Sequence, residues 1–188
     1  MDFTELLEKR RAVRDFEDRT VPLEVIKAII ADSIKAPNAS NRQPWKFIVV
    51  NNKAMLKRIS DASKKVIIAG IEKDPNSPMK GYLDTLKKED FNVFYNASCA
   101  VIIVAPLKGA TIAQDCGLLA AYFMLSAASR GLGTCWIAQG AEARDPELLA
   151  ELGLPEGYRM WAPLILGYPK AIPPMPDRKE PDILKIIT

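Results

Sequence analysis

The chain reads as an α+β domain in which helices flank a small central mixed sheet. Three observations predict this. Two β-branched runs, Lys46-Phe47-Ile48-Val49-Val50 and Ala100-Val101-Ile102-Ile103-Val104-Ala105, have the composition of strands. The stretch Ile112–Arg130 is apolar over a helical length. No internal repeat or linker interrupts the 188 residues, a length that suits one compact domain spanning 1–188.

Each element follows from its residues. Asp2 caps a first helix, with Glu5 three positions on as in a capping box. Leu6 and Leu7 form its apolar face, and Arg10-Arg11-Ala12-Val13-Arg14 closes it. Pro22 opens a second helix, where its missing N–H costs nothing. Leu23, Ile26, Ile30 and Ile34 form that helix's inward stripe, and Pro37 stops it. Pro37 to Pro44 is a polar turn, and residues 46–50 are a buried strand. A helix follows from Lys53 to near Ile71, with Leu56, Ile59 and Ala62 inward. Residues 74–90 hold few apolar anchors and read as a mobile insertion or lid.

The run 100–105 has no polar position, which predicts a strand covered on both faces. The helix at 112–130 is apolar nearly all round, through Leu118, Leu119, Tyr122, Phe123, Leu125, Ala127 and Ala128. Such a helix is buried in a core or in a subunit interface. A chain of this size has little room for a fully internal helix, which favours an oligomer. Gly131 caps it and Thr134–Ile137 is a strand. Pro146 begins a short helix ending near Gly153. Trp161–Gly167 is the last strand before a proline-rich tail carrying Arg178 and Lys179.

Composition excludes several function classes. Net charge is +3, too balanced for a general nucleic-acid binder. No basic segment followed by an apolar one opens the chain, and no apolar run is expected to span a bilayer, so a cytoplasmic protein is expected. The three cysteines, Cys99, Cys116 and Cys135, form no CxxC pair and read as buried thiols, with no metal site. There is no histidine, which excludes Ser-His-Asp and Cys-His catalysis and the HExxH zinc site. Chemistry must come from carboxylates, Lys, Arg, Tyr, the backbone or a cofactor.

Two constellations remain. Arg10, Arg11 and Arg14 are three guanidiniums in five positions. Arg10 and Arg14, four apart, share one face of a helix and also one side of an extended strand. Arg pairs bidentately with phosphate and keeps its charge at any ordinary pH; a solvated, charge-rich helix end is the alternative. The turn Pro37-Asn38-Ala39-Ser40-Asn41-Arg42-Gln43-Pro44-Trp45 holds three side-chain amides, which both donate and accept and so suit a heterocycle. Its alternative is an ordinary polar loop with Trp45 packed inward.

These segments, with Gly131-Leu132-Gly133-Thr134-Cys135-Trp136-Ile137 and Leu166-Gly167-Tyr168-Pro169, resemble the nitroreductase family of FMN-dependent oxidoreductases. The resemblance runs the length of the chain in the family's order. It implies a nitroreductase-like α+β fold and an intertwined homodimer with two FMN sites at its interface. Ile112–Arg130 would be a central interface helix. Arg10 would hold the FMN phosphate, with Arg11 or the Ala12 backbone and with Arg178 and Lys179 from the tail. Arg14 would sit at the N1/C2=O edge of the isoalloxazine. Pro37, Asn38 and Ala39 would come from the partner subunit, with Asn41 and Gln43 close behind. Trp136, Ile137, Ala138 and Gln139 would pass over the flavin face and offer backbone N–H groups to N5 and O4. Many relatives carry Ser at the position of Ala12, and two serines where this chain has Asn38-Ala39.

The phosphate's charge demands several cations, and a fixed cation at N1 and O2 stabilises the reduced ring. The resemblance therefore implies that NADH or NADPH reduces FMN, which then reduces an electron-poor nitroaromatic, quinone or enone in a ping-pong cycle. A homodimer acting on a small-molecule acceptor, without nucleic acid or membrane, is expected. Reductive dehalogenation, flavin fragmentation and azoline oxidation are activities of other members. Lys80, Tyr82, Asp84, Lys87 and Lys88 could serve a substrate lid. A non-enzymatic flavin store and an anion-binding structural protein are the other classes.

Overall fold

In the computed structural model, which describes residues 2–74 and 76–188, four strands form one sheet: β1 (Lys46–Val50), β2 (Cys99–Pro106), β3 (Gly133–Trp136) and β4 (Tyr158–Gly167). Their spatial order is β1-β2-β4-β3 and every pair is antiparallel. The expected mixed sheet is corrected on this point. The parallel pairing present is a single bridge, Ala12 to Thr134. No crossover helix links neighbouring parallel strands, so nothing forces a parallel ladder.

Strand β2 behaves as its composition requires. Its residues from Cys99 to Ala105 are buried and point alternately into two cores. One core joins Ala100, Ile102 and Val104 to helix α3 (Lys53–Lys73) through Leu56 and Ile59. The other joins Val101 and Ile103 to helices α2 (Leu23–Ser33) and α5 (Ile112–Ser129) through Ile26, Ile29, Leu119 and Phe123. Strand β1 was expected to be buried, but it is a sheet edge, with Lys46 and Val49 exposed. Strand β4 begins three residues earlier than expected, at Tyr158, and Ile137 lies just beyond β3.

Helix α1 (Phe3–Lys9) starts with the predicted capping box: the Glu5 N–H donates to Asp2, and the Asp2 N–H to Glu5. None of its residues is fully buried: Leu6 is half-buried where α1 packs on α5, whereas Phe3 and Leu7 remain exposed. Within 74–90 the chain forms a 3-10 turn (Lys80–Tyr82) and helix α4 (Leu83–Lys87); Pro75 lies outside the described residues. The expectation of few apolar anchors is corrected here. Leu86 is fully buried, and the Lys64 ammonium on α3 donates to the carbonyls of Lys88 (2.8 Å) and Phe91 (2.9 Å). Helix α6 (Pro146–Glu151) is capped by Asp145, with Pro146 in its first turn.

Helix α5 corrects one further expectation. Its 18 residues make it, among the described residues, the one helix long and apolar enough to cross a membrane. One face packs on β2, β3, β4 and α2, as a core helix does. Its opposite face leaves Leu118 and Tyr122 exposed at 42% and 41%. Helix α2 is tied to α5 by Asp32, which accepts from Lys35, from the Ser126 hydroxyl and from Arg130. These donors hold its carboxyl at about 2, below the usual carboxylate range. The stabilisation is present above the unfolded value of about 4 and is lost as pH falls through about 2. Asp32→Asn should lower stability at neutral pH by about 0.5–1 kcal/mol, a modest figure because the pair is solvated. Urea unfolding should show that difference shrinking as pH is lowered from about 4 towards 2.

Candidate functional site

The arginine segment is extended rather than helical. Arg10 ends α1 with its N–H on the Leu6 carbonyl (2.9 Å) and then turns into extended backbone. The Val13 N–H donates to the Thr134 carbonyl at 2.9 Å, so the segment lies along β3. Alternation then sorts the side chains. Arg11 and Val13 point inward and are buried, whereas Ala12 and Arg14 are exposed and Arg10 is partly so. Gly133 permits the close approach, because a Cβ there would come within 2.8 Å of the Val13 side chain.

The three guanidiniums separate in role. Arg11 folds back and donates to the carbonyls of Glu8 and Arg10, closing the C-terminal end of α1. Arg10 and Arg14 have no hydrogen-bond or ion-pair acceptor among the described residues. Arg14 lies 5.6 Å from the centre of the Tyr95 ring. A narrow cavity of about 100 Å³ beside Arg10 is lined also by Lys9, Gly133, Thr134, Pro169 and Ile172. In β3, burial pushes the Cys135 thiol up, opposed by the charges of Arg14 and Arg10. The tail beyond Ile172 is exposed and without regular structure. Arg178 and Lys179 lie on it, and no contact among the described residues ties them to Arg10.

The polar turn is built by its own amides. The Asn38 side chain accepts the Gln43 N–H at 2.9 Å, and the Gln43 amide donates to Asn41 at 3.1 Å. Ser40, Asn41 and Gln43 hold φ of 53, 50 and 46°, a left-handed region that non-glycine residues seldom enter. Such strain persists only where surroundings over-determine it. Asp115, buried in the first turn of α5, supplies the anchor: it accepts the Ala39 N–H at 3.0 Å and the Thr111 hydroxyl at 2.9 Å. Sequence reasoning missed Asp115. Its signal was one carboxylate in an otherwise apolar helix. Pro37, Asn41 and Gln43 are exposed, whereas Trp45 is buried.

At the third segment Trp136 is half-exposed, and the Ile137 N–H is committed to the Pro163 carbonyl at 2.8 Å. Ala138 and Gln139 open a 3-10 turn (Ala138–Ala141), whose first N–H groups have no partner inside the turn. They line an open, mostly apolar cavity of about 470 Å³ with Val66, Ile67, Gly70 and Met79. Gly140 sits where a Cβ would strike the Phe94 ring at 2.6 Å.

The structure brings some predicted residues together and keeps others apart. Arg10, Ala12 and Arg14 lie along β3, whose end leads into Trp136–Gln139. The Pro37–Gln43 turn lies at the other end of α5, held by Asp115. The fourteen helical steps from Asp115 to Ser129 span about 21 Å at ~1.5 Å each. Within one chain the loop and the arginine segment therefore stand at opposite ends of α5.

The residues fit an anionic, flat heterocyclic cofactor. Arg10 and Arg14, with no acceptor among the described residues, project from one side of an extended segment, and three amides that brace their own turn lie on a separate loop. Comparison with known proteins agrees. The nitroreductase family model matches residues 7–168. A protein of Archaeoglobus fulgidus, named as a candidate NADH dehydrogenase/NAD(P)H nitroreductase, is 30% identical over 86% of this chain and 82% of its own. An iodotyrosine deiodinase of Thermotoga neapolitana is 26% identical over 94% of this chain and 93% of its own. A nitroreductase of Bacteroides fragilis solved with bound FMN superposes with a TM-score of 0.80, at 26% identity, over 100% of this chain and 99% of that one.

Proposed function

The chain belongs to the nitroreductase family, and from this premise we propose that it is an FMN-dependent oxidoreductase that carries a hydride from NADH or NADPH to an electron-poor acceptor. The observation that carries the reading is that Arg10 and Arg14 have no hydrogen-bond or ion-pair acceptor among the described residues and lie on one side of an extended segment. At about 3.3 Å per residue their Cα atoms stand ~13 Å apart, which allows each to meet a different end of one cofactor.

FMN, when bound, supplies the hydride acceptor and donor at N5. The chain's own residues do the rest. Arg10 holds the phosphate, joined by Arg178 and Lys179 when the tail closes on it. Ala12 contributes backbone rather than a hydroxyl. Arg11, committed to α1, supports the segment. Arg14 faces the N1/O2 edge and favours the charge that develops there on reduction. Ala138 and Gln139 offer N–H groups at the N5/O4 edge, beside Trp136 and Ile137.

The active unit in this reading is a homodimer. Two copies paired with antiparallel α5 helices bring the Pro37, Asn38 and Ala39 loop of one, with Asn41 and Gln43 behind it, to the arginine segment of the other. The same pairing covers the exposed apolar face of α5 and the exposed Phe3 and Leu7 of α1. A cavity of about 380 Å³ between them, lined by Phe3, Leu6, Tyr122 and Leu125, lies on that face. Three free, buried thiols suit a reducing compartment, and we place the protein in the cytoplasm.

The test is anaerobic. Purified protein should be yellow and should bleach on addition of NADH or NADPH, then recolour with a nitroaromatic, quinone or enone. Arg14→Gln should lower the flavin midpoint potential and slow reduction about tenfold, the effect of roughly 1.4 kcal/mol, while FMN stays bound. An unchanged potential would remove Arg14 from the ring edge. Similarity to iodotyrosine deiodinases supports a second reading, reductive dehalogenation, with the exposed Tyr82 and its neighbours covering the substrate. Iodotyrosine in the same acceptor panel separates the two.

A further inference from the structure

We propose that Tyr95 is a positioning residue for Arg14, and that the strained turn carrying it fixes its ring against the guanidinium. This rests on the assignment of Arg14 to the flavin edge.

Tyr95 and Asn96 have φ of 53 and 55°. An aromatic residue in the left-handed region is a genuine outlier, and such outliers gather where function requires them. The turn is firmly held. The Tyr95 N–H donates to the Asn92 carbonyl at 2.8 Å, and the Ala97 N–H to the Phe94 carbonyl at 3.0 Å. The Phe94 N–H reaches the Asn92 side chain at 2.9 Å, and the Val93 N–H the Ser60 hydroxyl at 3.0 Å. Val93 and Phe94 are fully buried. All these bonds use backbone or other side chains. Glycine at position 95 would satisfy the same backbone without strain.

The Tyr95 ring is not needed by the core, since it remains 36% exposed. It makes two directed contacts instead. Phe91 meets it edge-on, with centroids 6.3 Å apart and planes at 87°, and so sets its tilt. Arg14 stands over it at 5.6 Å. The neighbouring carboxylate, Asp15, is taken by Lys170 at 2.9 Å. This arrangement has a chemical consequence. A carboxylate partner would hold Arg14 but cancel its charge at the ring edge. An aromatic face orients a guanidinium through its quadrupole and leaves the full positive charge available.

Four variants test this with FMN bound, alongside thermal unfolding. Tyr95→Gly and Tyr95→Ala both remove the ring, but only glycine accepts the left-handed backbone. The glycine variant should melt higher than the alanine variant. Both should show the same lowered flavin potential, with the reduced-to-oxidised ratio falling about two- to fivefold, the range of an exposed cation–π contact. At 29.6 mV per tenfold for a two-electron couple this is about 10–20 mV. Tyr95→Phe keeps the ring and should keep the wild-type potential. A wild-type potential in both ringless variants, with Arg14→Gln shifted, overturns the role of Tyr95. A lowered potential in Tyr95→Phe overturns it too, because the hydroxyl and not the ring face would then matter. If Arg14→Gln leaves the potential unchanged, the flavin-edge assignment fails first, and the role of Tyr95 with it.

Discussion

Replacing Arg10 with Gln should weaken FMN binding by about 2–3 kcal/mol, or ~30- to 150-fold, and leave riboflavin binding nearly unchanged. The argument is one of charge and position. Arg10 has no acceptor among the described residues, so its guanidinium is available to a ligand without first breaking an internal bond. The adjoining cavity is lined by Lys9, Gly133 and Thr134 among others, and it has no carboxylate in its lining. A doubly charged phosphate is the part of FMN that such a place favours, and riboflavin lacks it. Glutamine keeps hydrogen-bonding capacity and most of the length, so the loss reads the charge. Fluorescence titration of apoprotein with FMN and with riboflavin, at fixed ionic strength, separates the two ligands. Equal weakening of both would place Arg10 away from the phosphate. Arg11→Ala is the internal control. Its guanidinium serves the carbonyls of Glu8 and Arg10, so it should alter the melting temperature more than the preference for FMN over riboflavin.

The difference between Arg10 and Arg11 shows how far the sequence could be read. A spacing of four put Arg10 and Arg14 on one side under either backbone conformation, so their shared direction was legible without knowing which held. Which side Arg11 took was not legible, because it depends on the segment lying along β3, and that depends on Gly133 leaving room for Val13. Strands β1 and β2 were visible as β-branched runs, α3 by the inward spacing of Leu56, Ile59 and Ala62, and α6 by the proline that opens it. Whether β1 was central or at an edge is a matter of order in the sheet, which no local pattern encodes. Residues 74–90 looked unanchored because few of them are apolar, yet Met79 and Leu83 pack against the core. Leu86 is fully buried, and the Lys64 ammonium that holds the following turn comes from another helix. The partners of Asp115 and Tyr95 were not legible because each lies distant in the chain, Ala39 for one and Arg14 for the other.

A charge placed at the middle of α5 should abolish both the dimer and the flavin site. Tyr122 lies midway between Asp115, which anchors the polar loop, and Ser129, near the arginine segment. If the loop of one copy meets the arginine segment of the other, the two-fold axis passes near Tyr122, and each copy presents this residue to its own counterpart. Tyr122→Glu then buries two like charges facing one another. An unpaired buried charge destabilises by roughly 3–5 kcal/mol, and symmetry doubles it, so dimerisation should weaken by more than ~10⁴-fold. The fold itself should survive, because Tyr122 is 41% exposed within the chain and the core face of α5 is carried by Leu119, Phe123 and Ala127. Light scattering after gel filtration should give a particle of 20.8 kDa where the parent chain gives twice that mass. Circular dichroism should match the parent, and Tyr122→Phe should remain dimeric. The colour of the variant is the decisive reading. With Pro37, Asn38 and Ala39 no longer delivered to the partner, the folded monomer should purify colourless. A monomer that still holds FMN at parental affinity would show that the arginine segment and Trp136–Gln139 suffice without the second copy.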